Sequence, residues 1–237
     1  MVFRNKTILN ARLLCAAGFV RRGAALCDVG CDHAYLPIFL CKAGIVSRAM
    51  ACDINEGPCE RARENIRQNG CSGMIEVVRA DGLSCAEDFA PTDVVICGMG
   101  GELIAKIIFA SVITRKKGVR LILQPMTKAP ALRLALVSHG FEIVDEALAE
   151  EDRIYQIIVA EYTGKSSSLS ETEALVGPVV LRKQPELFGK FIEKQIKTQK
   201  QIMLAKRLHR VPYAREERLV SLLTELIENT QETNNPC

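Results

Sequence analysis

The chain has 237 residues, 48 % hydrophobic and 25 % charged, a balance that excludes a disordered chain and allows one full α/β domain with a smaller appendage. A net charge of +3 is too small to identify a nucleic-acid partner by itself. Ten cysteines are scattered mostly through apolar runs, which reads as small core residues in a reducing compartment and not as a disulfide scaffold.

In chain order, residues 1–27 carry Arg4, Lys6, Arg12, Arg21 and Arg22 and no acid. The apolar run Leu13 to Val20 is followed at once by Arg21-Arg22, not by a small-residue cleavage site. No stretch approaches the roughly 18 apolar residues of a membrane helix, so the cytoplasm is expected and a membrane partner is not.

Strand-like segments then alternate with helix-like ones. Short apolar runs at Ala24 to Val29, Arg48 to Asp53, Ile75 to Arg79, Asp93 to Gly98 and Arg120 to Gln124 predict strands buried on both faces. Tyr35 to Lys42, Pro58 to Gln68, Glu102 to Phe109 and Pro130 to His139 are the helices between them. Phe141 to Val144 and Tyr155 to Tyr162 add two strands joined by the acidic stretch Asp145 to Asp152. Seven strands ending in a hairpin suit an α/β, Rossmann-like, seven-stranded class I methyltransferase domain over residues 1–163.

Residues 163–170 (TGKSSSLS) read as a flexible linker. Beyond it, over 171–237, Leu187, Phe191, Ile192, Ile196, Met203 and Leu204, then Leu219, Leu222, Leu223, Leu226 and Ile227, recur at helical spacing on either side of Pro212. They predict a coiled-coil-like α-helical hairpin. Residues 182–218 hold eleven Lys or Arg against four Glu, a surplus of seven; taken alone, such a run is a solvated face.

The turn after the first strand reads Cys27-Asp28-Val29-Gly30-Cys31-Asp32-His33. A pyrophosphate needs G-x-G-x-x-G so that backbone can approach it. Here Gly30 is flanked by Asp28 and Asp32, which repel phosphate and attract the sulfonium and ammonium of S-adenosylmethionine. Cys27, Cys31, Asp32 and His33 are the nearest approach to a metal cluster, but no second ligand pair follows at zinc spacing and no metal is expected. Asp53 ends the second strand where ribose hydroxyls are held in such sheets. Asp81 can accept from an adenine amino group, with Gly82 making the turn and Leu83 following. Gly98-Met99-Gly100-Gly101 gives up backbone entropy directly before a helix, so close approach of a ligand is expected there. Gln124 is delivered to the same rim, where its amide can read a base edge.

These segments together, DVGCDHAYLP (28–37), ACDINEGP (51–58), ADGL (80–83), VICGMGGELI (95–104), LILQPM (121–126) and EEDRIYQIIVAEY (150–162), resemble the bacterial tRNA (adenine-N1)-methyltransferases that modify adenine 22. The resemblance extends through a GPVVL segment to the C-terminal hairpin. It implies cofactor contacts from Asp28, Gly30, His33, Asp53, Ile54, Asp81, Gly82, Gly98 and Met99, and an acceptor-base site at Asp32, Tyr35, Gly100, Gly101 and Gln124. Asp32 is then the group that stabilises the cationic methylated base or takes a proton, with His33 as the other candidate, and Tyr35 stacks on the extruded base. Arg21, Arg22, Lys194 and Lys197 are expected on tRNA phosphates, and the surplus of seven is reread as an RNA-binding surface. A monomer or weak homodimer is expected. Cys31 stands where the family more usually has serine, which predicts sensitivity to thiol reagents. The alternatives are a methyltransferase for another RNA, a protein or a small molecule, and an RNA-binding module without catalysis.

Overall fold

A computed structural model describes residues 9–233; Arg4, Lys6 and Cys237 lie outside the described residues. The chain divides into two units, residues 1–168 and 169–237.

The first unit is a seven-stranded sheet in the order β3-β2-β1-β4-β5-β7-β6. Its strands are β1 (Ala24–Val29), β2 (Val46–Asp53), β3 (Ile75–Arg79), β4 (Asp93–Gly100), β5 (Arg120–Thr127), β6 (Phe141–Glu150) and β7 (Ile154–Tyr162). Antiparallel pairing occurs only at β7, against β5 and β6. β1 is buried at all six positions, as a strand between two parallel neighbours under helices on both faces must be. The connections leave β1 toward β2 on one side while β4 lies on the other, so a crevice opens at the C-terminal ends of β1 and β4, where open α/β sheets bind ligands. Helices α2 (Tyr35–Lys42), α3 (Glu56–Gln68), α5 (Gly101–Ala110) and α6 (Ala129–Ser138) are the expected ones.

Several elements depart from the sequence reading. Leu13 to Val20, read as an apolar run, is mostly helix α1 (Ala11–Ala17), whose Asn10 side chain accepts from the Leu13 amide at 2.9 Å. The short helix α4 (Ala86–Phe89) was also not anticipated. The acidic stretch is strand through Glu150, because Glu146 is 4 % exposed and ion-paired with Arg133 at 2.7 Å, both side chains fully buried. Arg133 also donates to Gln156 Oε1 at 2.9 Å, and burial lowers its pKa despite the Glu146 partner.

The second unit starts at a Ser170–Glu173 capping box on α7 (Glu171–Val176). It continues through α8 (Pro178–Lys183) and the long antiparallel pair α9 (Phe188–Leu208) and α10 (Ala214–Thr233). Phe188, Phe191, Ile192, Leu219 and Leu223 are buried, whereas Leu204 and Leu222 of the expected apolar stripes are 60 % and 40 % exposed. Lys206 bridges to both oxygens of Glu216 at 2.8 Å, and Arg215 and Arg218 both bind Glu171 of α7. The 163–170 stretch is not a free linker at either end: the amides of Thr163 and Gly164 donate to Gly140 O, that of Ser167 donates to Val137 O, and Ser170 caps α7.

Removing one partner of a buried ion pair strands the other. Glu146→Ala is therefore expected to destabilise the protein by about 3–5 kcal/mol in chemical denaturation, while Glu150→Ala at the exposed strand end changes stability by less than about 1 kcal/mol.

Candidate active site

The C-terminal ends of β1, β2 and β3 each deliver an acid, as expected from Asp28, Asp53 and Asp81. Asp28 is 6 % exposed, and its carboxylate makes no hydrogen bond or ion pair among the described residues. It lines a pocket of about 390 Å³ together with Gly30, Asp32, His33, Tyr35 and Gly98. Burial without a partner pushes its pKa up to about 7. A carboxylate held this way is poised for a cationic ligand.

The loop after β1 is tightly wound. Gly30, Asp32 and Ala34 all have positive φ, at 73°, 41° and 54°, an accumulation characteristic of functional turns. A Cβ at Gly30 would collide with the Met99 methyl, which brings the two predicted cofactor residues together. The amides of Gly30 and Cys31 both donate to Cys52 O, tying the loop to β2. Asp32 is held at Oδ1 by Arg61 of α3 at 2.7 Å, with His33 Nε2 3.5 Å from Oδ2. Asn65 of α3 donates to His33 O at 3.0 Å. The His33 ring stacks on Tyr35 with centroids 5.0 Å apart and planes 6° off parallel, and Tyr35 is 45 % exposed.

Asp53 accepts from the Asn55 amide at 2.9 Å through Oδ1, an Asx turn next to exposed Ile54. Asp81, Gly82 and buried Leu83 line a second recess of about 180 Å³ with Leu103 and Ile107. Gly82 has φ 56°, and a Cβ there would press on Ile107 at 3.0 Å.

The glycines at the end of β4 and the start of α5 have separate reasons. Gly98 has φ 82° and faces Arg12 Nη1. Gly100 caps α5 beside Thr127, and at Gly101 a Cβ would lie 2.5 Å from Lys128 O, so Gly101 is required by the close packing of two backbone turns. Gln124 is at the rim but fully buried. Its Oε1 accepts from Arg12 Nη1 at 2.7 Å and the Gly98 amide at 3.2 Å, and its Nε2 donates to Pro125 O at 2.9 Å. The amide expected to read a base edge is thus engaged within the wall, positioning Gly98 and Arg12.

Two further expectations need correction. Arg21 was expected on RNA, but its guanidinium binds Asp93 Oδ1 at 2.5 Å, Thr92 O and Gly118 O, at the N-terminal end of β4, remote from the crevice. Arg22 beside it is exposed, as are Lys194 and Lys197 of the second unit. Cys31 is 8 % exposed, and burial together with the Asp28 charge raises its thiol pKa, so it lacks the thiolate character that thiol reagents attack. Among the described residues no cluster of three metal-ligating side chains occurs, and no helix is long and apolar enough to cross a membrane.

Sequence reasoning missed Asn10, Arg12 and Leu13, which line the pocket from α1, and Arg61 and Asn65. The capping Asn10 before an apolar run ending at Gly18 was a legible helix start. The spacing of Arg61 and Asn65 by four places them on one face of α3, but nothing in the sequence says which loop that face meets.

A seven-stranded sheet with β7 antiparallel, a glycine turn flanked by acids at β1 and further acids after β2 and β3 define a Rossmann-like methyltransferase. Comparison with known proteins narrows the class. The model of the TrmK family, tRNA (adenine(22)-N(1))-methyltransferase, matches residues 26–229, and the chain belongs to that family. It is 34 % identical over 194 residues to the tRNA (adenine(22)-N(1))-methyltransferase of Bacillus subtilis, covering 78 % of this chain and 80 % of that one. A Streptococcus pneumoniae protein solved in complex with S-adenosyl-L-methionine superposes with TM-score 0.81 at 32 % identity, over 93 % of this chain and 100 % of the other. M. capricolum TrmK in complex with S-adenosyl-homocysteine gives TM-score 0.75 at 27 % identity, over 93 % of this chain and 98 % of the other.

The raised Asp28 pKa has a definite sign. Between pH 3.8 and about 7 the unfolded carboxyl ionises while the folded one stays protonated, so this group lowers stability as pH rises through that window and its cost is complete above pH 7. Asp28→Asn is expected to gain stability over wild type by about 2 kcal/mol more at pH 8 than at pH 5, measured by denaturant melts. An equal difference at the two pH values would rule out the buried ionisation.

Proposed function

We propose that this chain transfers the methyl group of S-adenosylmethionine to N1 of adenine 22 in tRNA, in the cytoplasm, as a monomer or weak homodimer. The observation that carries the reading is the buried, unpartnered Asp28 carboxylate lining the pocket at the β1–β4 crevice of a chain in this family. The donor set fits the cofactor: three acids for a cation, a ribose diol and an adenine amine, with no phosphate-binding glycine loop.

When bound, S-adenosylmethionine supplies an electrophilic methyl carbon on a sulfonium. Asp28 holds the cationic end, and Gly30, His33, Gly98 and Met99 shape the methyl-bearing edge. Asp53 accepts from the ribose hydroxyls beside Ile54. Asp81 accepts from the adenine amine, with Gly82 and Leu83 forming the floor. Binding a cation to Asp28 favours its ionised form, so cofactor affinity rises with pH through about 7.

Adenine N1 carries a lone pair at neutral pH, so the protein's main task is to hold it in line, a contribution that can reach about 7–11 kcal/mol. Tyr35, preset by His33, stacks on the base turned out of the RNA. Gly100 and Gly101 let it approach. Gln124 acts through Gly98 and Arg12. Asp32, oriented by Arg61, faces the charge that develops on the base and accepts its proton if the exocyclic amine releases one. Arg22, Lys194 and Lys197 bind RNA phosphates; Arg21 does not.

The deciding experiment incubates unmodified tRNA with labelled S-adenosylmethionine and maps the modified nucleotide. Label at N1 of adenine 22 is expected; transfer to a protein or small molecule with none to RNA refutes the reading. Asp53→Ala is expected to weaken cofactor binding at least tenfold in calorimetry. Asp32→Ala is expected to slow transfer about 100-fold with cofactor affinity within about threefold of wild type; full turnover would remove Asp32 from the chemistry.

A further inference from the structure

Two arginines of the first unit share one tyrosine. The Cζ atom of Arg12, in α1, lies 5.6 Å from the Tyr155 ring centroid, and that of Arg153, in the β6–β7 turn, 4.8 Å. The two cations are therefore within about 10 Å of each other. Tyr155 is 8 % exposed, and its hydroxyl donates to Asp152 Oδ1 at 2.7 Å, which fixes the ring as a platform. Arg12 donates to Gln124, and Arg153 has the Met126 sulfur at 3.5 Å. Neither makes an ion pair with a carboxylate among the described residues, whereas Arg21, Arg61, Arg120 and Arg133 each do. The adjacent acid, Asp152, accepts from the tyrosine hydroxyl and lies near enough to Arg153 for that charge to help lower its carboxyl pKa, but among the described residues it forms no ion pair with either guanidinium.

Two like charges this close repel one another, and stacking on an aromatic face offsets that only in part. Such an arrangement is completed by an anion. Its position identifies which one. Arg12 also lines the pocket with Asp28 and Gly98, and a nucleotide that places its base there carries its phosphates at the mouth. The guanidinium edge matches phosphate oxygens in a fork geometry, and its face remains on the ring.

We propose that Arg12 and Arg153, mounted on Tyr155, clamp the phosphodiester of the RNA nucleotide whose base enters the pocket. The inference rests on the tRNA reading above and adds to it the residues that seat the target nucleotide, separate from the general basic surface of the second unit.

The test measures binding of unmodified tRNA to the full chain, in the presence of S-adenosylhomocysteine, across a salt series. Arg153→Gln and Arg12→Gln are each expected to weaken binding about tenfold and to reduce the slope of log affinity against log salt by about one. Arg153→Lys is expected to restore the slope, and S-adenosylmethionine affinity, read by calorimetry, is expected to stay within about twofold of wild type for Arg153→Gln. Wild-type methylation of tRNA combined with unchanged affinity and slope in both Gln variants overturns the clamp alone. Loss of cofactor affinity in Arg153→Gln assigns that residue to the fold and overturns it as well. A wild-type chain that neither binds nor methylates tRNA overturns the tRNA reading and the clamp together.

Discussion

A carboxyl group at the end of a strand buried on both faces is the constraint around which the first unit is arranged. Asp28 occupies that place in β1, and no neighbouring donor offsets its loss of water. Keeping it there lowers stability at neutral pH, a cost tolerated where the group awaits a cation. The loop that follows accommodates it: three positive-φ residues turn the backbone away, Cys52 O gathers two of its amides, and the remaining acid, Asp32, is drawn outward to Arg61. Two acids four residues apart thus have opposite environments, one largely buried and unpaired, the other half-exposed and paired.

The opposite wall of the crevice is held by hydrogen bonds to a neutral amide. Gln124 collects Arg12 and the Gly98 amide on one oxygen, so the end of β4, the end of β5 and helix α1 are coupled through a single buried amide. Any change in the Arg12 guanidinium is transmitted to the glycine turn by this route. Gly101, crowded by Lys128 O, holds the next turn against β5–α6 by packing alone. Gly98, facing Arg12, and Gly101, crowded by Lys128 O, therefore answer to different constraints within one four-residue glycine segment.

Charge assignments illustrate what spacing cannot resolve. Arg21 and Arg22 are adjacent in a basic segment, yet Asp93 neutralises the first and the second stays exposed. In the second unit, Lys206, Arg215 and Arg218 answer to Glu216 and Glu171, which leaves less of the basic surplus for a polyanion than the count implies. The same reason hid Arg133: a buried arginine is recognisable only beside its buried glutamate.

Sequence by itself determined the alternation of strands and helices, the acids at the ends of β1, β2 and β3, the glycine segment at the end of β4 and the hairpin. These depend on periodicity, local turn chemistry and chain order, which a linear reading retains. Tertiary structure alone decided that Asp28 is buried and unpaired while Asp32 is not, that Gln124 faces inward, that Arg21 is ion-paired with Asp93, and that Arg12 and Arg153 meet at Tyr155. Those properties depend on which surfaces are excluded from water and which distant side chains meet there. The turn around Gly30 therefore announces its ligand class in the sequence, and the division of labour between its two acids emerges only when the sheet and α3 close around it.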